Sequence, residues 1–186
     1  MSDDRAAKFC LVIDVAMPCA AWRQALPGVA RLVRDTARAV LAAADDEPTP
    51  AELSVVLSDD AAVRILNARW RGKDAATNVL SFPAGGADVA GAPRLLGDVV
   101  LAFETMSREA AAQGKPLAHH VRHLIAHGVL HLLGHDHERA RDATRMENLE
   151  RRILEGFGVP DPYQTTPSSL EGEGRGGGSR RRIAHG

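Results

Sequence analysis

Cysteine is scarce in this 186-residue chain, with only Cys10 and Cys19 present. Neither sits in a CxxC pair, so metal chemistry falls to histidine and carboxylates, and a disulfide between the two is the lesser alternative to free thiols. Cys10, inside the apolar run FCLVIDV, reads as a buried free thiol. Aromatic residues make up 4% of the chain, too few for a broad surface that reads unpaired nucleobases by stacking. No apolar run approaches the ~20 residues needed to span a bilayer. The start MSDDRAAK lacks the basic-then-apolar layout of a signal peptide, so a cytoplasmic protein is expected. A strong charge of one sign is missing too: the formal net charge is −1, and any contact with a polyanion has to be local. No internal repeat is visible.

What is present is a hydrophobic content of 45%, enough for one sizeable core. Alternating and β-branched runs predict strands at Phe9 to Val15, Glu52 to Ser58, Thr77 to Phe82 and Leu95 to Phe103. Between Gly28 and Ala44, Val29, Leu32, Val33, Val40 and Leu41 fall on one helical face. The segment DDEPTP at 45 to 50 ends that helix, and Asp59 and Asp60 signal the start of a short one reaching about Trp70, itself read as buried. Further helices are expected over Glu104 to Gln113, closed by Gly114, from Pro116 to Leu133, and over Arg141 to Phe157. The Gly/Pro/Ala stretch from Pro83 to Pro93 reads as a mobile loop. After Tyr163 periodicity is lost, and residues 164–186 read as a disordered Gly/Arg-rich tail attached to one domain spanning 1–163.

Seven of the eight histidines lie between positions 119 and 137. In HGVLHLLGHDH, His127 and His131 are four residues apart and share a helical face, one turn above the other. A third ligand cannot come from the next turn, so the chain must leave the helix. Gly134 tolerates the left-handed ending required, and His137 can then swing back. Three neutral imidazoles leave the fourth position of a tetrahedral zinc open, which is a catalytic arrangement able to lower the pKa of a bound water to about 7. One Zn2+ ion is therefore expected on His127, His131 and His137. The bland alternative is a solvated histidine-rich face, which a lone HxxxH would not outweigh.

The same helix places His120 and His123 within about 40° of His127 around its axis, as cleft-lining groups or as partners of the ligands. Val121, Ile125, Val129 and Leu132 lie opposite and should anchor the helix in the core. His135 and Asp136 could orient a ligand or assist proton transfer, or simply hydrogen-bond within the loop. The pattern HxxxHxxGxxH repeats the spacing of metzincin peptidases. Position 128, however, is glycine where those enzymes carry a general-base glutamate, so peptide hydrolysis by that route is closed.

Together with this cluster, WRGKDAATNVLSFP at 70 to 83, LLGDVVLA at 95 to 102, QGKPL at 113 to 117 and the terminal GVPDPY resemble the YbeY family of bacterial endoribonucleases. The similarity spans most of residues 53 to 163, and His135 departs from it, standing where many relatives have tyrosine. The resemblance implies a zincin-like α/β (α+β) fold with a mixed four-stranded sheet and about five helices. It implies a three-histidine metal site on a long helix and the following Gly turn, and cleavage of single-stranded RNA. The process implied is rRNA maturation, at the 3′ end of 16S rRNA, and ribosome quality control. Expected partners are rRNA precursor and the ribosome or its proteins, with no membrane and no DNA.

Carried over by position, the family's functional arginine falls at Arg71. A guanidinium can grip two non-bridging phosphate oxygens as charge builds on them. The alternative for Arg71 is a surface charge following a buried Trp70. Lys73 is a candidate second phosphate contact, Asn78 and Ser81 could present polar groups to bases, and Asp98 follows Gly97 at a strand start. For these four, ordinary surface, turn and strand-end roles compete closely. The rival functions are a non-catalytic assembly factor stabilised by zinc and, behind it, a metallopeptidase.

Overall fold

Alternation of buried and exposed residues builds each strand, and one strongly apolar helix organises the rest. The computed structural model describes residues 11–44, 50–85, 91–135 and 140–163. Within them the order is β1 (Leu11–Ala16), α1 (Ala21–Ala25), α2 (Val29–Ala44), β2 (Ala51–Ser58), α3 (Asp60–Arg71), β3 (Val79–Pro83), β4 (Arg94–Ala102), α4 (Phe103–Ala112), α5 (Leu117–Leu132) and α6 (Ala140–Glu155). The four strands form one mixed sheet in the order β1-β2-β4-β3. β1 and β2 are parallel, β2 and β4 are parallel, and β3 runs antiparallel along β4 as an edge strand.

This is the expected four-stranded mixed α/β domain, with six helices where five were anticipated. The extra helix, α1, is five residues long, too short to show a period. Its reason is tertiary: Trp22 is fully buried, its indole N–H donates to Ser58 O at 2.8 Å, and its ring meets Phe103 edge-on at 5.2 Å. β3 begins at Val79 instead of Thr77. The Asn78 side-chain oxygen accepts from the Val79 N–H at 2.7 Å, a local bond that competes with strand pairing. Phe103 opens α4 and does not end β4. The predicted strand start at Phe9, the thiol Cys10, most of DDEPTP, the middle of the Pro83 to Pro93 loop and the 164–186 tail lie outside the described residues.

α5 is the hub. Val121, Ile125, Val129 and Leu130 have no exposed surface, and Leu132 has little. It packs on β3 and β4 and is flanked by α2, α4 and α6, completing one continuous core that also holds Val33, Val40, Val55, Leu57, Val99 and Leu101. α3 covers the other face over a smaller cluster of Val63, Leu80, Val100 and Ala102. Its start is pinned twice. Asp59 caps it by accepting from Ala62 N at 2.8 Å, and the Asp60 carboxylate accepts from the backbone and hydroxyl of Thr105, both at 2.9 Å. No helix of the described residues is long and apolar enough to cross a membrane.

Candidate active site

The site lies where α5 crosses the edge strand β3. A cavity of about 450 Å³ is lined by Arg71, Val79, Ser81, Pro83, His127, His131, Gly134 and His135. Pleating explains the β3 contribution: Val79, Ser81 and Pro83 face the cavity, while Leu80 and Phe82 turn to the α3 side.

His127 and His131 converge as their four-residue spacing requires. Their Nε2 atoms are 3.1 Å apart and their ring centroids 4.6 Å. α5 ends at Leu132, and the chain leaves it through Gly134 in a left-handed conformation (φ 85°). The His135 N–H returns to Leu130 O at 3.1 Å and the Gly134 N–H to His131 O at 3.0 Å, the paired bonds of a Schellman ending. The turn that the third histidine needs is therefore present, although Asp136 and His137 themselves lie outside the described residues. Among the described residues no group of three or more His, Cys, Asp or Glu side chains is placed to hold a metal ion.

Behind His127 stands Glu150, which the helical pattern of Met146, Leu149, Ile153 and Leu154 passes over. The signal for it was a charged residue on the apolar face of an amphipathic helix, four positions after Met146. Glu150 has no exposed surface. Its Oε1 is 2.9 Å from His127 Nδ1, its Oε2 is 3.5 Å from His123 Nε2, and the Tyr163 hydroxyl donates to Oε2. Burial pushes the carboxyl upward, but the bonds from His123, His127 and Tyr163 together outweigh it and lower its pKa to about 2. The same pairing, with burial the larger cause, drives the Tyr163 phenol upward. An ionised carboxylate only accepts, so His127 Nδ1 is the donor in this contact and Nε2 is the ring nitrogen turned toward His131.

Two imidazole nitrogens brought together at this distance suit a cation, which would take the place of the hydrogen they share. Ligand nitrogens at ~2.0–2.1 Å from a tetrahedral zinc stand roughly 3.3 Å apart, close to the 3.1 Å seen here.

Gly128 has a spatial reason. A Cβ built there would stand 3.0 Å from Ser81 Oγ and 3.0 Å from Val99 Cγ1, because α5 is seated directly on β3 and β4. A side chain at this position would push against Ser81 and Val99, which would have to give way. Gly128→Glu is expected to lose at least about 3 kcal/mol of stability from overpacking and a buried charge, read by denaturant unfolding, and to gain no peptidase activity.

Arg71 is the last residue of α3, followed by the Gly72 cap. Its loop is held by Asn67, whose side chain donates to Ala75 O at 2.7 Å, and by Arg64, which grips Asp74 through two bonds of 2.6 and 2.7 Å. Arg71 reaches the cavity while Trp70, expected to be buried, is 63% exposed and meets Phe82 edge-on.

The remaining candidates divide. Ser81 lines the cavity. Lys73 is exposed and outside the lining; its backbone bonds to Asn67 and Ala75 shape the loop. Asn78 does structural work, donating to Glu109 Oε2 at 2.9 Å. Asp98 is exposed opposite Phe82 in the register, and alternation turns it to the sheet face away from the cavity, since its neighbour Val99 is the residue that meets Gly128. His120 is buried against Glu109 at 2.8 Å, and burial lowers its pKa against the pull of that carboxylate. Neither His120 nor His123 lines the cavity; His123 is tied to it through Glu150. His135 does line it.

The chain is similar to known proteins. The family model described as Endoribonuclease YbeY matches residues 23–158. Among curated relatives, the Endoribonuclease YbeY of Rhodopseudomonas palustris (strain BisA53) is 58% identical over 132 residues, covering 68% of this chain and 77% of that one. That of Azorhizobium caulinodans is 50% identical over 152 residues, covering 81% and 95%. A solution structure from Thermotoga maritima aligns with a TM-score of 0.49 at 17% identity, covering 84% of this chain and 99% of that one. With a family model spanning well over half its length and relatives at half identity or more, the chain belongs to the endoribonuclease YbeY family.

Proposed function

We propose that this chain is a zinc-dependent endoribonuclease on a zincin-like scaffold, cutting single-stranded RNA in rRNA maturation, including the 3′ end of 16S rRNA, and in ribosome quality control. The observation that carries the reading is the pair of converging Nε2 atoms of His127 and His131 in one cavity with Arg71. The names of the relatives supply the reaction and the substrate class. His137, from beyond the Gly134 turn, is the third ligand in this reading, and the cytoplasm is the compartment. When bound, zinc supplies a Lewis acid that polarises oxygen and offsets charge on a phosphoryl group.

The chain's own residues do the rest. Glu150 holds the hydrogen of His127 on Nδ1 and keeps Nε2 available. Arg71 offers two N–H groups to the non-bridging oxygens of the phosphodiester, where charge accumulates as the phosphorus becomes five-coordinate. Ser81 and His135 line the wall along which the strand would lie. Presentation of the cut site by the ribosome or a protein partner would supply selectivity that so few aromatic side chains cannot.

The test is cleavage of a short single-stranded RNA by purified protein, with and without a chelator, and of the same RNA carrying one 2′-deoxy sugar at the cut site. Chelation is expected to abolish cleavage and added zinc to restore it. Persistent cleavage after verified metal removal would sink the metal reading. Cleavage of the deoxy substrate marks water as nucleophile, and its arrest marks the 2′-hydroxyl.

A further inference from the structure

We propose that Glu150 and Tyr163 form a two-residue buttress that sets the tautomer and orientation of His127 for metal binding; this rests on the zinc-site reading above. The two residues come from α6 and from the segment after it, far from His127 in sequence, and neither lines the cavity. Their link to the site is a chain of hydrogen bonds. Tyr163 donates to Glu150 Oε2, Glu150 Oε1 receives His127 Nδ1 at 2.9 Å, and His127 Nε2 stands 3.1 Å from His131 Nε2.

Free imidazole can place its single hydrogen on either nitrogen, and only one choice serves a ligand here. With the hydrogen on Nε2, the atom that faces His131 would have no lone pair for a metal; a carboxylate at Nδ1 selects the other tautomer and holds the ring plane. An isolated buried carboxylate would be costly, and an aliphatic side chain would fill the same space without that penalty. The observed carboxylate, fully buried and contacted by two histidines and a phenol, is therefore expected to serve the ring it touches.

The terminal GVPDPY motif, otherwise without a role, gains one. Asp161 accepts from Arg151 Nε at 2.8 Å and from Tyr163 N at 2.9 Å, which folds the segment back along α6 and delivers the phenol to the residue preceding Arg151. The Tyr163 ring also meets His123 edge-on at 5.9 Å, so it is held from two sides.

The experiment compares wild type, Glu150→Gln, Glu150→Leu and Tyr163→Phe by zinc competition against a chelator, by the absorption of bound Co2+ and by metal-free thermal melting. Nitrogen-detected NMR of metal-free wild type reports the His127 tautomer. Expected are a hydrogen on His127 Nδ1, zinc affinity lowered about 10-fold in Glu150→Gln and about 100-fold in Glu150→Leu, and a weaker, altered Co2+ band. Tyr163→Phe, which retains the ring, should lose roughly tenfold in zinc affinity; it also takes a donor from buried Glu150, so its metal-free melting temperature should fall modestly and its affinity is read well below that temperature. Glu150→Leu could fail to fold, in which case Glu150→Gln and Tyr163→Phe decide. Folded variants within twofold of wild-type zinc affinity, or a hydrogen on His127 Nε2, would overturn the buttress while leaving the zinc site standing. A wild type that takes up no zinc would overturn both.

Discussion

His131→Ala is expected to cut RNA at least about a thousandfold more slowly than wild type while retaining its fold. The rate estimate follows from removing a metal whose charge stabilisation is worth several kcal/mol, at about 1.4 kcal/mol per decade. Retention of the fold follows from the core. The buried side chains of α5 and the sheet form a continuous apolar cluster, and none of its members is a ligand. Zinc should therefore raise the wild-type melting temperature by mass action and leave that of His131→Ala unmoved. Cleavage, metal content and melting on one preparation separate this reading from a non-catalytic factor that uses zinc as a clamp. That rival expects the variant to unfold. His131 is a better target than His127 for this purpose, because losing the His127 ring also strips a partner from the fully buried Glu150 and would add a folding cost of its own.

Arg71→Ala is expected to lower the cleavage rate about 100- to 1,000-fold with zinc content and melting temperature unchanged. Arg71 is an exposed residue at the end of α3, with no ion-pair partner among the described residues, so its removal takes little from the fold. Arg71→Lys should recover only part of the rate, since an ammonium cannot reproduce the two-pronged grip of a guanidinium on phosphate. The measurement is single-turnover cleavage at saturating RNA. A rate within a fewfold of wild type would remove Arg71 from the chemistry and return it to the surface.

Much of the site could be read directly from the chain because its logic is local. The spacing of His127 and His131 is converted into a shared face by the helix alone, and Gly134 marks the turn by its freedom to adopt positive φ. The four strands and the five longer helices follow from period and punctuation in the same way. Arg71 was found by resemblance to a family pattern, and no periodicity would have singled it out from the other arginines. Asp98 and Asn78 show the opposite error. Each is polar and lies near motif residues in sequence, yet pleating turns Asp98 away from the cavity and Glu109 engages Asn78.

What the sequence by itself determined is what is carried within about one turn of helix or one strand: the order of the strands and the longer helices, the histidine pair and the glycine bend. Only the tertiary structure decided that Glu150 stands behind His127, that Tyr163 closes on Glu150, that Trp70 is exposed beside Arg71, and that Gly128 is small because a sheet presses on it. The reason is physical. A local pattern fixes which way a side chain leaves its own backbone, whereas its partner across 23 residues is chosen by how helices and sheet pack, and that packing is a property of the whole core.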